Sequence, residues 1–421
     1  MSQVKSQHNF GFFSLVMMAV ISVASLRNLP IAAQYGFSLI SFYVFAGIGF
    51  FIPLAWVTAK LAADYPKSGG SYVWIREAFG HGYGHFAVGV MWVYNIIWYP
   101  TIFAFITATL AAVIAPGLEH SKWFILTSSL VMFWLLSALH SRGLRISSWI
   151  NIVSALIGTL FPMLVMITLA AYWLLSGKAA ATPMHWMTLL PSWHDFKNIS
   201  FFSNILFSVL GLEVVAVYAG NVRNASRIYP RALAVSAALI LITMICCSLA
   251  LCVIMPVEKI KLVTGLVDML QLFFAAYGLN HMTKVIGICI VIGGLGIASS
   301  WMIGLANNLH LSLSSINAPA WMQKLNKNHV PSGIMWFQAG VYSVLLLSFV
   351  LLPSMNQSYW ILSAATAQFA MIYYMILFGA AMKLLRKKKK QRVLAMALPS
   401  LGVVLCVLGL IAGFVPPAAT L

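Results

Sequence analysis

Two charged residues lie within otherwise apolar stretches of this 421-residue sequence, and each accompanies residues that interrupt helices. Arg27 follows the small residues 22–25 and precedes Pro30, whereas Glu213 follows Gly211. A charge at the centre of a membrane helix costs roughly 2.5 to 3.5 kcal/mol, and an interrupted helix leaves backbone amides and carbonyls unpaired. The chemistry open to these residues is therefore ligand binding, in which freed amides attract anions and freed carbonyls attract cations.

Motifs for nucleotide, metal or covalent chemistry are absent from the sequence. It has no GxxxxGK[ST] loop and no HExxH pair, and its ten histidines lie in loops or toward the ends of apolar stretches. The run Gly293-Gly294-Leu295-Gly296 lies inside an apolar stretch, where it predicts close helix packing. The five cysteines form no CxxC pair, and we expect them to be buried small hydrophobes. We therefore expect no enzyme activity, no cofactor and no bound metal.

The composition places both interruptions in a membrane. Of all residues, 62% are hydrophobic and 8% are charged, whereas a soluble domain is about half apolar and a quarter charged. The net charge of +18 could indicate a nucleic acid partner. In so apolar a chain, however, such an excess is typical of the cytoplasmic loops of a multi-pass membrane protein. We expect membrane lipid, and no nucleic acid, as the surrounding partner.

Eleven apolar runs are predicted to cross the bilayer as helices of about 20 residues each. Numbered as spans 1 to 11, they are 10–35, 37–59, 82–115, 123–140, 147–175, 200–220, 231–255, 284–312, 333–352, 359–382 and 393–414. The sequence therefore predicts an all-α membrane protein with a single polytopic domain over residues 1–421.

Basic residues predict how this domain faces the membrane. With the N-terminus in the cytoplasm, 18 of the 25 bases fall in inner segments and six in outer segments. Seven of the inner bases lie between Lys383 and Arg392, in a hairpin that we expect to face anionic lipid. Because cytoplasmic loops are enriched in Lys and Arg, this division predicts a cytoplasmic N-terminus.

The two interruptions fall in spans 1 and 6, which are related by a shift of five. Discontinuous helices at matching positions of two halves are typical of inverted-repeat transporters, whose substrate binds near the middle of the bilayer. We predict a first repeat at about 10–175, a second at about 200–382 and an extra helix at 393–414. In an alternative interpretation, Arg27 and Glu213 pair with each other in a buried bridge that specifies the fold.

Six short motifs, taken in order, carry a family resemblance. They are Pro30 with Gly36-Phe37-Ser38-Leu39, Pro66-x-x-Gly69-Gly70-x-Tyr72-x-Trp74, Gly211-Leu212-Glu213, Arg227-x-Tyr229-Pro230, Ser299-Ser300-Trp301-x-x-Gly304 and Lys324-x-Asn326-Lys327-x-x-Val330-Pro331. Together they resemble the amino acid, polyamine and organocation transporter superfamily, and most closely its glutamate:GABA antiporter branch. The resemblance extends from span 1 through span 10.

This resemblance implies two inverted five-helix repeats with broken helices 1 and 6, and secondary transport of amino acids or related small amines and carboxylates by alternating access. It places a substrate carboxylate at the backbone of Val23, Ala24 and Ser25, and an ammonium group at the backbone near Phe207, Leu210 and Gly211. It adds four contacts from span 3, which are Tyr94, Asn95, Trp98 and Tyr99, and two aromatic gates, Trp301 and Tyr374. Glu213 matches a glutamate that is associated with proton coupling, and we expect Arg27 to recognise a carboxylate.

Three departures from the family pattern leave the substrate open. Val23-Ala24-Ser25 replaces a Gly-Ser-Gly type of break, Ile297 replaces an acid of span 8, and Asn307 replaces a base. The family also commonly has twelve spans, whereas eleven are found here. We expect a multi-pass protein of the bacterial inner membrane, a monomer or homodimer, that works as an exchanger or a proton symporter. The alternative is an amino-acid-sensing or degenerate paralogue that binds a ligand without transporting it.

Overall fold

The computed structural model describes residues 11–65, 70–142, 151–192, 199–222, 225–316, 318–347, 351, 354–386 and 392–415. Within these ranges the chain is helical and has no β-strand. Some predicted loop charges and motif residues lie outside the described residues: Lys5, Pro66, Lys67, Gly69, Arg145, Asp195, Lys197, Arg223 and Lys387 to Lys390.

All eleven predicted apolar segments contain helix, and nine of the helices in the described part of the chain are long and apolar enough to cross a bilayer. The nine are Phe12–Ala33, Gly36–Asp64, His81–Ile114, Lys122–His140, Asn151–Leu175, Arg227–Ile254, Met282–Leu313, Met355–Leu385 and Val393–Ala412. Spans 6 and 9 are shorter apolar helices, Ser200–Ala216 and Ser332–Leu346. The predicted end of span 9 lies partly outside the described residues.

Span 1 is broken where the sequence predicts. The helix Phe12–Val23 ends before Ala24 and Ser25, a turn of 3₁₀ helix covers Leu26–Asn28, and the helix Leu29–Ala33 follows. Ser25 has an extended backbone with φ −100° and ψ 116°. Pro30 stands in the first turn of the second piece, where its missing N–H would have had no helical partner.

Span 6 is also broken. The helix Ser200–Ser208 ends before Gly211, and a 3₁₀ segment, Leu212–Asn221, follows. Gly211 has φ +113°, a conformation that glycine adopts without the steric cost that a Cβ imposes. Each break therefore contains residues that interrupt a helix, and both predicted interruptions are confirmed.

The broken helices are held by the most buried spans. An 18-residue apolar stretch is 83%, 89% and 83% buried in spans 1, 3 and 8, but only 33% buried in spans 4 and 11, which lie at the surface of the bundle. Span 8 packs along span 3 and on a π-helical turn of span 5, Ser154–Leu160. There the backbone of Gly293 lies against Gly158, and Gly296 lies against Ser154. The glycine run therefore permits close helix packing, as predicted.

In the described ranges, two helices of ten and twelve residues between the spans are not predicted by the sequence. Gly70–Phe79 follows span 2 and packs on spans 3 and 10. Gly265–Ala276 lies between spans 7 and 8 and is largely buried. The segment that leads into it holds the C-terminal end of span 1, because Gln34 Nε2 donates to the Ile260 carbonyl at 2.8 Å. The cysteines are free in the described ranges, and they are buried except for Cys246, which is half-buried.

Candidate substrate site

A small cavity lies where the two breaks meet spans 3 and 8. Its volume is about 20 Å³, which is room for one or two water molecules. Its lining is Ser22, Val23, Ser25 and Asn28 of span 1, Tyr94, Asn95 and Trp98 of span 3, Phe207 and Leu210 of span 6, and Ile297 and Trp301 of span 8. Of these residues the sequence predicts eight as substrate contacts: Val23, Ser25, Tyr94, Asn95, Trp98, Phe207, Leu210 and Trp301.

Three lining residues are missed by the sequence prediction. Ser22 and Asn28 lie within one helical turn of the break in span 1, so a wider window around the break would have included them. Ile297 lies four residues before Trp301 on span 8, which puts both side chains on one helical face. The sequence identifies Ile297 only as the replacement for an acid, and the structure places this apolar side chain in the cavity lining.

Trp301 joins the two breaks. Its indole Nε1 donates to the Ser22 carbonyl at 2.9 Å, so it satisfies a backbone acceptor at the end of the helix Phe12–Val23. A Cβ on Gly211 would lie 2.8 Å from Trp301 Cζ2 and 3.0 Å from the Ser22 oxygen. The glycine therefore lets the backbone of span 6 approach both groups, and the three spans close tightly over this side of the cavity.

The electrostatics of the cavity come from the backbone. Among the described residues, no charged side chain lines it. Two helices, Phe12–Val23 and Ser200–Ser208, end at it, and the C-terminal end of a helix carries a partial negative charge from its unpaired carbonyls. The end of Ser200–Ser208 therefore favours an ammonium group, whereas the break of span 1 also presents the amide end of the turn Leu26–Asn28, which has the opposite sign.

Arg27 is fully buried but lies outside the cavity lining. Its Nη1 donates to Thr101 Oγ1 at 2.9 Å and to Ser363 Oγ at 3.1 Å. The guanidinium carbon lies 5.7 Å from the ring centroid of Phe207 and 5.3 Å from that of Tyr359, within the range of cation–π attraction. Because Phe207 also lines the cavity, its ring stands beside both the cavity and the cation.

Glu213 is also buried and lies outside the cavity lining. Its Oε1 accepts a hydrogen bond from the Tyr374 hydroxyl at 2.7 Å. Ser363, which binds Arg27, and Tyr374 are eleven residues apart on one helix, or about 16 Å at 1.5 Å per residue. No ion pair joins Arg27 to Glu213 among the described residues. The buried bridge considered from the sequence is therefore wrong, because the two charges are held at different depths.

The remaining predicted contacts lie around the cavity. Ala24 lines a second cavity of about 10 Å³ between spans 1, 3, 5 and 8. Tyr99 packs against Phe133 of span 4 at 5.2 Å between ring centroids. Tyr374 is bound to Glu213 and packs edge-on against Phe50 at 5.3 Å. Tyr99 and Tyr374 are thus placed outside the cavity lining in this closed arrangement.

Comparison with known proteins identifies the family. The sequence profile described as amino acid permease matches residues 10–420. The chain belongs to the amino acid permease family. An uncharacterized transporter of Legionella pneumophila is 42% identical over 98% of this chain and 91% of its own length.

More distant permease relatives carry substrate names. A glutamate/gamma-aminobutyrate antiporter of Lactococcus lactis is 23% identical over 97% of this chain and 84% of its own length. A probable agmatine/putrescine antiporter of the same species is 24% identical, with 90% and 80% covered. These relatives confirm the predicted superfamily, and this permease is a secondary transporter.

A solved structure confirms the fold class. MhsT in complex with L-phenylalanine superposes on this permease with a TM-score of 0.63, covering 96% of this chain and 98% of that one at 13% identity. The two proteins therefore share one fold. Because the cavity at the breaks has room for water only, this conformation of the permease is closed.

Proposed function

We propose that this permease binds an amino acid, or a related small amine or carboxylate, at the cavity between its two helix breaks and carries it across the membrane by alternating access. One observation carries the proposal: the breaks of spans 1 and 6 meet at a single cavity, and eight residues selected from the sequence line it. A site built from backbone dipoles and few polar side chains suits a small zwitterion.

The proposed pose follows the two breaks. The substrate ammonium lies at the carbonyl end of Ser200–Ser208, near Phe207 and Leu210, where the helix dipole is negative. The carboxylate lies at the extended segment from Val23 to Ser25. Asn95 is less available for recognition, because its Nδ2 already donates to the Met91 carbonyl at 2.9 Å.

We propose that Arg27 selects for an anionic substrate group once Phe207 moves aside. Two of its nitrogens, Nε and Nη2, are buried without a hydrogen-bond partner among the described residues. A guanidinium presents its donors in a rigid fork that matches a carboxylate. A displaced Phe207 ring would open the cavity toward these donors, which supports a role in substrate choice.

Glu213 is proposed as the proton-coupling residue. It is 1% exposed, and its second oxygen, Oε2, has no hydrogen-bond partner among the described atoms. The tyrosines of its neighbourhood link it to the cavity, since Tyr374 packs on Tyr373 at 5.1 Å and Tyr373 on Tyr94 at 5.9 Å between centroids. A change of charge at Glu213 would therefore affect, through Tyr374 and Tyr373, the position of Tyr94, which lines the cavity.

Two further features are proposed. The division of bases supports a cytoplasmic N-terminus in the bacterial inner membrane. The predicted repeats, 10–175 and 200–382, would form one transport unit, with 393–414 packed beside it.

A counterflow screen tests the proposed function. Proteoliposomes are preloaded with an excess of one unlabelled amino acid or polyamine at a time. Uptake of a trace of the same compound, labelled, from the outside solution is then measured. Accelerated uptake that depends on the preloaded compound is expected for at least one of them. Binding of a compound in a thermal-shift assay, without counterflow of any compound, would instead support the sensing paralogue.

A further inference from the structure

The outer surface of span 7 carries two neighbouring grooves that differ in chemistry. The first, about 630 Å³, is bordered by Arg227, Arg231 and Val235 together with Phe12 of span 1. The second, about 520 Å³, runs between spans 2 and 7 and has a wholly apolar lining that includes Trp56 and Ile242. Ala234 borders both grooves, so they form one continuous surface.

The two arginines form a pair suited to an anionic group. Arg227 and Arg231 are four residues apart on one helix and are both exposed, so their side chains point the same way. Neither guanidinium has an acidic partner within 4 Å among the described residues. Guanidinium pairs bind phosphate oxygens through charge-assisted hydrogen bonds.

The apolar groove continues the same face of span 7 away from the arginines. Exposed positions follow at Ala234, Ala238 and Ile242, at the spacing of one helical face. Ile242 is eleven residues beyond Arg231, or about 16 Å along the helix. The alanines leave room between the larger side chains of Trp56 and Ile242 for a hydrocarbon chain.

We infer that this surface binds an anionic phospholipid, with its phosphate on Arg227 and Arg231 and one acyl chain along Ala234 to Ile242. The charge of the pair selects an anionic headgroup over a zwitterionic one, and the groove selects a lipid over a soluble phosphate. Within the described residues, this site shares no lining residue with the substrate cavity. The proposed lipid site can therefore be tested independently of the proposed substrate site.

The proposed lipid site adjoins helices that form the two breaks. Tyr229 lies between the two arginines, points inward and donates through its hydroxyl to the Val215 carbonyl of span 6 at 2.8 Å. Phe12 begins the helix that ends at the break of span 1. A lipid in the groove contacts both span 1 and the turn of span 7 that holds span 6.

The test measures phosphatidylglycerol binding to the full chain in detergent. The double variant Arg227→Gln/Arg231→Gln is compared with Lys324→Gln/Lys327→Gln, which removes two exposed bases outside the groove. We expect the arginine variant to weaken binding about 30-fold and the lysine variant to leave it near the parental value. Equal binding by all three proteins, or equal loss in both variants, would overturn the site.

Two further measurements test the apolar groove separately from the arginine pair. Ala238→Phe fills the apolar groove without altering charge and lies on an exposed position, so it should weaken phosphatidylglycerol binding while the protein stays folded. Inorganic phosphate in millimolar amounts should not displace the lipid. Unaltered binding by Ala238→Phe, or displacement by phosphate, would contradict an acyl-chain site.

Discussion

The approach of spans 1, 6 and 8 at Gly211 can be tested with one methyl group. Gly211→Ala places a Cβ 2.8 Å from Trp301 Cζ2 and 3.0 Å from the Ser22 oxygen, at a residue with φ +113°. An L-residue held in such a conformation costs about 1 to 3 kcal/mol. If Trp301 shifts to make room, its hydrogen bond to Ser22 is also weakened, at about 0.5 to 1.5 kcal/mol.

These costs together amount to about 1.5 to 4.5 kcal/mol against the closed conformation. A cycle that must pass through this conformation would slow about 13-fold at the lower figure. The assay is the initial rate of uptake by equal amounts of protein in proteoliposomes, together with the unfolding temperature in detergent. We expect a rate at least tenfold below the parent and a lower unfolding temperature.

Gly89→Ala is the matched control. Gly89 is a helical residue of span 3 with no atom within 4 Å of its added Cβ, and alanine favours a helix by up to about 1 kcal/mol over glycine. This variant should transport at the parental rate. If Gly211→Ala also transports and unfolds like the parent, the tight junction at Gly211 is not required and the reasoning is refuted.

Three further substitutions test individual contacts. Trp301→Phe removes the donor to the Ser22 carbonyl and leaves a buried acceptor unpaired, which costs about 1 to 3 kcal/mol. We expect a lower unfolding temperature and slower counterflow, and parental values of both would contradict the role of this hydrogen bond. Arg27→Gln should lower uptake of substrates with a second carboxylate at least about tenfold relative to other substrates, and an unchanged ratio in competition assays would count against Arg27 in substrate choice. Glu213→Gln cannot titrate, so the pH profile of transport should flatten while binding at fixed pH persists; a parental profile would exclude the coupling role.

Much of the site can be predicted from sequence because its determinants are local. Pro30, Gly211 and the small residues 22–25 interrupt helices by their own conformational preferences, and a charge within an apolar run marks a position that folding must explain. Matching the two breaks by a shift of five then brings distant segments together. This is why eight of the predicted contacts share one cavity.

The partners of each polar group could not be predicted, because they depend on tertiary packing. Arg27 binds Ser363 across 336 residues of sequence, and Trp301 reaches Ser22 across 279. Sequence periodicity contains no signal for such pairs, so the sequence alone is compatible both with an Arg27–Glu213 bridge and with two separate sites. The helix Gly265–Ala276 was missed for a different reason, since it is too short to give the signal of a membrane span.

Substrate protection of a single thiol tests most directly whether the cavity at the breaks is the substrate site. Ser25→Cys is alkylated in detergent with and without a substrate identified by counterflow, with the native cysteines measured on the parent protein and Lys327→Cys as an exposed control. At ten times the Kd, the substrate should slow alkylation of Ser25→Cys about tenfold and leave Lys327→Cys unaffected. An unprotected Ser25→Cys that still transports this substrate would place the binding site elsewhere.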